Sequence, residues 1–353
     1  MLDTDAKLAG FLPALQAAEW IALDTEADSL HAYPEKLCLL QISLPGADEL
    51  IDPLSGCDLK PLWQALGGRE LILHGADYDL RLLHRGHAFI PDVIFDTMEA
   101  ARLIGLKEFG LASLVARYLG VELEKGPQTA DWGRRPLTER MESYARNDTR
   151  FLHSLATKLA AELESKGRRS WHRETCARLV TQCAQVRAPD PNLVWRVKGS
   201  HRLGRHALAV LREIWGWREQ EAVRTNRPPF FVLPHETLTA IAEAAAHARP
   251  VEPLLPRRFS PHRHTTLAAA VARGLAVPPA EQPDRLRPIM RSASVAERQR
   301  SAELKERRDR RAIELEIDPT LIASRAVLEL LASDWARYEP ELMRWQSALL
   351  SPP

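Results

Sequence analysis

The pattern of apolar and polar positions divides the chain into a first part of mixed strand-like and helix-like segments and a second part that is helical almost throughout. "WIALDTEA" (20–27) begins as a continuous apolar run and then places Asp24 and Glu26 two residues apart, which predicts a buried strand with both carboxylates on one face. "KLCLLQISL" (36–44) and "DELIDP" (48–53) predict two further strands, close enough along the chain for an antiparallel meander. "LKPLWQAL" (59–66) has helical spacing, "ELILHG" (70–75) reads as another buried strand, and "DYDLRLLHRG" (77–86) as a helix closed by Gly86. Two more helices follow over 96–105 and 110–120, the second ended by Gly120, and from Thr138 one long helix is expected to run to Gly167. Strands with flanking helices make an α/β domain.

After "RAPDPNLVW" (187–195), whose two prolines suggest a linker, the spacing becomes helical, with a turn expected at 226–229. The stretch 291–311 is a run of charge, read as a solvated helix or a connector, and 321–350 returns to an amphipathic pattern. With 45% hydrophobic residues in 353, there is material for more than one core. No run approaches the ~18 apolar residues of a membrane span, and the acidic N-terminus lacks the features of a signal peptide. Cytoplasmic location and no membrane partner are the expectations. Cys38, Cys57, Cys176 and Cys183 match no metal spacing and are expected to be reduced.

Charge changes the picture. Residues 1–150 carry a net charge of −9 and the remainder +10, although the whole chain sums to +1. A basic second part is suited to a polyanion, or is simply a solvated basic surface. The acids of the first part are more telling. Asp24 and Glu26 share a strand face, Asp79 falls in the first turn of a helix just after a buried strand, and Tyr144 and Asp148 are one turn apart on a helix. Taken singly, each has a plainer reading: a solvated strand, a carboxylate favoured by the helix dipole, a core tyrosine beside a surface acid. Clustered carboxylates need a counter-charge, or one of them must stay protonated, and a pair of divalent cations, Mg²⁺ or Mn²⁺, held by oxygen ligands is a natural solution.

The order D-x-E on a strand, then Asp, then Y-x-x-x-D on a helix resembles the DEDD exonucleases, and within them the ribonuclease D family. The stretches that carry the likeness are "LDTEAD", "LHGADYDLRLL" and "TADWGRRPLTERMESYARND", with "LIDP" in support. The resemblance implies a ribonuclease H-like exonuclease domain with a mixed sheet flanked by helices. It implies that Asp24, Glu26, Asp79 and Asp148 bind two metal ions per site. Asp24 would bridge them, Glu26 and Asp148 would complete one site, and Asp79 would support the other. Tyr144 would orient the attacking water. The other branch of the superfamily uses His one position earlier, where this chain has Ser143, so the likeness is to the tyrosine branch.

"WRVKGSHRLGRHALAVLREIWGWREQEAVRTNRPPFFVLPHETLTAIA" resembles the HRDC domain, an all-α module that helps bind nucleic acid in this family. The expected domains are thus an exonuclease over 1–170, a linker over 171–194, an HRDC domain over 195–280 and a second, degenerate HRDC-like region over 281–353. His74, Gln41, Trp132, Arg134 and Arg135 are secondary candidates for substrate contact, each with a structural alternative in core packing or solvation. The implied activity is metal-dependent 3′→5′ removal of nucleotides from RNA, tRNA precursors being the substrate the family suggests. An exonuclease acting on DNA and an inert nucleic-acid-binding protein are the alternatives. The residues name no protein partner.

Overall fold

The computed structural model describes residues 1–124, 126, 129–185, 190–286 and 293–351. The chain packs as two units, one of residues 1–27, 37–186 and 291–353, the other of residues 28–36 and 187–290.

The first unit is built on a five-stranded sheet: β1 (Ile21–Ala27), β2 (Leu37–Leu44), β3 (Ala47–Ile51), β4 (Glu70–Leu73) and β5 (Val93–Asp96), in the order β3-β2-β1-β4-β5. The meander β1–β2–β3 is antiparallel, whereas β4 and β5 run parallel to β1, so the sheet is mixed as expected. β5 is too short for a period-two pattern to show, and the sequence pattern passes over it. Helix α1 (Asp5–Ala17), also passed over, is capped by Thr4, whose side chain accepts from the Lys7 N–H. It is followed by α2 (Lys60–Leu66), α3 (Asp77–His87), α4 (Thr97–Ile104), α5 (Leu111–Leu119), α6 (Glu139–Arg150), α7 (Leu152–Ser165) and α8 (Arg169–Ala184).

Alternation along β1 divides the core. Ile21 and Leu23 pack with Leu15 of α1 and Leu80 and Leu83 of α3, while Ala22 lies in a second cluster with Ala101 of α4 and Leu155 and Leu159 of α7. Every residue of β2 is buried, because both faces of the sheet are covered.

Three expectations are corrected here. Helix α3 does not stop at Gly86 but runs to His87, with Ala88 taking the left-handed conformation that ends it. The long helix from Thr138 is two helices that meet at Phe151, so that α6 packs on β2 and β3 while α7 packs on β4 and α4. The linker over 171–194 is helical in its first part. α8 places Cys176 and Cys183 in the core beside Ile94 and Leu80, and the His172 Nε2–H donates to the Asp96 carbonyl at 2.9 Å.

The second unit contains α9 (Arg205–Thr225), α10 (Pro229–Val232), α11 (His235–Ala246) and α12 (Pro261–Leu275). Leu208, Leu211, Ile214 and Trp217 of α9 meet Leu238 and Ile241 of α11 and Leu267 and Val271 of α12 in one apolar core. Asn226, in the left-handed region, closes α9 at the expected turn. Residues 28–36 belong to this unit, where the Tyr33 hydroxyl donates to Glu219 at 2.6 Å and the Tyr33 N–H to Asn226 at 3.2 Å.

The last segment contains α13 (Val295–Leu315), α14 (Pro319–Ile322), α15 (Arg325–Ser333), α16 (Trp335–Tyr338) and α17 (Arg344–Leu350). It differs from the separate module expected over 281–353. Leu304, Ala312, Ile317, Ile322 and Trp345 share a core cluster with Leu103, Ile104 and Leu114 of the first unit. The Arg168 guanidinium donates to the carbonyls of Leu103 and Leu315, both at 2.7 Å. Gly105, at φ +101°, lets the Glu316 carbonyl approach so closely that a Cβ would lie 2.1 Å from its oxygen. Residues 291 and 292 of the charge run lie outside the described residues; from Val295 it is the helix α13, begun by a capping box between Ser294 and Glu297. Its Arg300 and Arg308 are spent on the carbonyls of Ala332 and Ala323, at 2.8 and 3.0 Å.

Candidate active site

Strand β1 ends where its polar residues begin. Asp24 stands opposite Gln41 of β2 and Glu26 opposite Leu39, and a register shift follows Glu26. The two carboxylates therefore point to the same face, the one covered by α6. That helix is capped by Thr138 and pinned to the meander at its far end. The hydroxyls of Thr149 and Ser43 are 2.8 Å apart, Ser43 donates to Asp48 at 2.6 Å, and Arg150 pairs with Asp48 at 2.7 Å. Pinning α6 in this way fixes Asp148, one residue before Thr149, over the end of β1. Carboxylate oxygens of Asp24, Glu26 and Asp148 all lie within 4.8 Å of one another.

Asp79 arrives from the other direction. It sits in the first turn of α3, where the helix dipole favours an anion, and its carboxylate accepts from the Thr25 hydroxyl. The turn that delivers it is held by Asp96, which accepts from the N–H groups of Gly75 at 3.0 Å and Ala76 at 2.8 Å while also capping α4.

The electrostatics follow from burying acids without cations. Burial, then Asp79, Asp148 and Glu26, raise the Asp24 carboxyl far above the ordinary range. Burial, then Asp148 and Asp79, push Glu26 to about 8. Asp79 and Asp148 are each pushed to about 7, mainly by burial. The hydrogen bond from Tyr144 opposes the shift of Asp148, and that from Thr25 the shift of Asp79. Tyr144 is raised above its usual value by burial and by the charges of Asp148, Glu26 and Asp24, so its hydroxyl keeps its proton and remains a donor. One Asp148 oxygen is buried with no hydrogen-bond partner among the described residues. An oxygen-only donor set with too many negative charges and an unspent lone pair fits a hard divalent cation.

The remaining candidates divide. Gln41 is fully buried across from Asp24, and neither end of its amide has a hydrogen-bond partner among the described residues, so it stays a candidate. Arg134 is exposed, and its side chain makes no hydrogen bond or ion pair among them. Trp132 and Arg135 are corrected to structural roles, while His74 is half-buried and held at one ring nitrogen. Trp132 is 1% exposed, packed with Leu50, Leu137, Met141 and Ala145, with its ring 6.2 Å from that of Tyr144, and offers no face for a base. Two N–H groups of the Arg135 guanidinium bond Asp52 at 2.6 Å, and the carbonyls of Cys38, Trp132 and Arg134 take the other three, which leaves nothing for a phosphate. The His74 Nδ1 is 2.9 Å from the Thr97 hydroxyl, which itself donates to the Leu73 carbonyl.

Sequence reasoning missed three supports. Thr25 was overlooked because it lies between two more conspicuous acids. Asp96 was detectable, since "DTME" has the spacing of a capping motif. Gly126 had no sequence signal: a Cβ there would fall 1.6 Å from the Tyr144 ring, so the backbone lies directly on that ring.

Comparison with known proteins agrees with this architecture. A family described as 3′-5′ exonuclease matches residues 1–164, and one described as HRDC domain matches residues 207–246. Ribonuclease D of Zymomonas mobilis is 35% identical over 248 residues, 69% of this chain and 63% of that protein. Ribonuclease D of a Jannaschia species is 31% identical over 295 residues, 80% and 76% of the two chains. The crystal structure of Escherichia coli RNase D, described as an exoribonuclease involved in structured RNA processing, superposes with a TM-score of 0.77 at 27% identity, covering 99% of this chain and 96% of that one. A ribonuclease H-like exonuclease fold joined to an HRDC module is thus the class that fold and site define. More narrowly, the chain belongs to the ribonuclease D family. It spans 63% of the length of the first curated relatives it matches.

Proposed function

We propose that the chain is a metal-dependent 3′→5′ exoribonuclease, acting in the cytoplasm on unpaired RNA 3′ ends, those of tRNA precursors among them. The observation that carries the reading is the convergence of Asp24, Glu26 and Asp148 within 4.8 Å, with no cation among the described residues to balance them. Two divalent cations, Mg²⁺ or Mn²⁺, would be held by these three acids and Asp79. When bound they neutralise the carboxylates and stabilise charge on the attacking and leaving oxygens. The chain's own groups do the rest. The Tyr144 hydroxyl, kept protonated, orients water for in-line attack on the last phosphodiester. The water oxygen joins phosphorus, the bond to the 3′ oxygen of the preceding nucleotide breaks, and that oxygen takes up a proton. The product is a nucleoside 5′-monophosphate. Gln41 lends its amide beside Asp24, and Arg134 offers its charge to the incoming backbone.

Purified protein given 5′-labelled single-stranded RNA, or DNA of the same sequence, tests this. In Mg²⁺ or Mn²⁺ the RNA should shorten one nucleotide at a time from its 3′ end, and neither EDTA nor Asp148→Ala should allow it. Faster loss of the DNA would move the substrate to DNA. Binding without cleavage would leave an inert nucleic-acid-binding protein.

A further inference from the structure

Gln41 lies in the sheet face beneath α6, and the fold leaves it unanswered. The register sets it between Asp24 of β1 and Leu50 of β3, and period two puts Leu39 and Ser43 on its own face of β2. It is 0% exposed, and neither Nε2 nor Oε1 has a hydrogen-bond partner among the described residues. Its other polar neighbours on this face are engaged with one another. Ser43 donates to Asp48 and stands 2.8 Å from the Thr149 hydroxyl, and Asp48 also accepts from Arg150. Leu39 and Leu50 pack with Trp132, Met141 and Ala145 and offer nothing polar. The acceptors with capacity left are the acids of the site. Asp24 is directly opposite, and Asp148 has one oxygen buried without a partner among the described residues.

A buried amide idle at both ends costs free energy that an apolar side chain of the same size would not, so packing does not account for it. Reach is no obstacle. Opposed residues on antiparallel strands have Cβ atoms about 5 Å apart, and the terminal torsion of a glutamine is broad, so the Nε2–H can turn to a carboxylate across the pair. Side chains that bind metals are commonly held by such donors, which fix their orientation. We propose that Gln41 is a positioning residue of the metal site, its amide N–H donating to Asp24 and fixing that carboxylate for the cations. It does for Asp24 what the Thr25 hydroxyl does for Asp79. The proposal rests on the reading of the acids as metal ligands, and adds the group that orients the first of them without touching the RNA.

The decisive experiment is a calorimetric titration of the full chain with Mg²⁺ in the absence of RNA, so that metal uptake is read without cleavage. Gln41→Met keeps the volume and removes both polar ends. It should weaken Mg²⁺ binding about 10- to 100-fold, with a metal-free melting temperature equal to that of the wild type or higher. Gln41→Asn keeps the donor on a shorter stem and should bind Mg²⁺ more tightly than the methionine variant. In a cleavage assay the Mg²⁺ concentration for half-maximal rate should rise with Gln41→Met by the same factor, while KM for RNA at saturating Mg²⁺ stays unchanged. Unaltered Mg²⁺ affinity in the methionine variant overturns the proposal. So does a raised KM for RNA with Mg²⁺ affinity intact, which would make Gln41 a substrate contact. If Gln41→Met melts lower without metal, the asparagine variant decides: Mg²⁺ binding no tighter than that of the methionine variant leaves packing alone and overturns the proposal. A wild type that takes up neither Mg²⁺ nor Mn²⁺ would sink the metal-dependent nuclease itself, whereas wild-type uptake that Gln41→Met leaves unchanged sinks only the role of Gln41.

Discussion

Glu26 and Glu221 are the same residue type set into protein in opposite ways. Glu221 is buried between Arg224 and Arg263, and their hydrogen bonds and charge hold its carboxyl down at about 2. Glu26 faces Asp24 and Asp148, and burial with like charge drives it up to about 8. A buried acid that meets its cation within the chain is structural: it joins two helices and is satisfied. One that meets only other acids stores repulsion that a ligand from outside relieves.

Removing one acid from each region should sharpen this difference most. Asp24→Asn is expected to lower cleavage by about 10³-fold or more while leaving the metal-free melting temperature unchanged or higher, since it takes away a source of repulsion. Glu221→Gln should do the reverse. Cleavage per folded molecule stays within about twofold, and the melting temperature drops by about 3–8 °C as two arginines lose their shared partner. Scanning calorimetry beside a cleavage assay reads both, and equal destabilisation by the two changes would break the comparison.

A smaller effect separates the regions by pH. The acids around Asp24 have folded-state values raised above those of the unfolded chain. Their protonated forms stabilise the metal-free fold fully below about pH 4, and that contribution is lost as the pH rises through about 7 to 8. In EDTA the melting temperature should therefore fall by roughly 5–10 °C between pH 5 and pH 8.5. Added Mg²⁺ or Mn²⁺ should restore more of it at pH 8 than at pH 6, where protons compete for the ligands. Glu221, with its value lowered, loses its contribution only as pH falls from about 4 towards 2. A metal-free melting temperature that is flat across pH 5 to 8.5 would mean that the acids are not crowded in solution.

The smallest expected effect tests the support of Tyr144. Gly126→Ala has to displace the ring beneath it, and is expected to lower kcat by about tenfold with KM and melting temperature little changed. Tyr144→Phe, made in parallel, sets the floor. If the two losses multiply in the double variant, the glycine acts elsewhere.

The acids were legible in the sequence because three short periodicities announced them: two along a strand, four along a helix, and a strand followed at once by an acid. The meander and most helices were legible for the same reason. What escaped were features with no period. β5 has four residues, and the bend at Phe151 interrupts a pattern that reads as continuous. Trp132 and Arg135 stand in the stretch that most strongly carries the family likeness, yet a sequence cannot tell whether a tryptophan faces solvent or whether an arginine already has its carboxylate. Assigning the final helices to a separate module failed because amphipathic spacing shows that a face will be buried, not against what.

The placement of those helices has a consequence for synthesis. Leu304, Ile322 and Trp345 complete a core begun by Ala22, Leu103 and Leu114, so the first unit cannot close until the residues up to Trp345 have left the ribosome. The core of the second unit draws on residues 195–271, and those are translated before α13. Emerging from the N-terminus, the middle of the molecule can thus mature first, and the carboxylate site gains its full support only when translation of these helices ends.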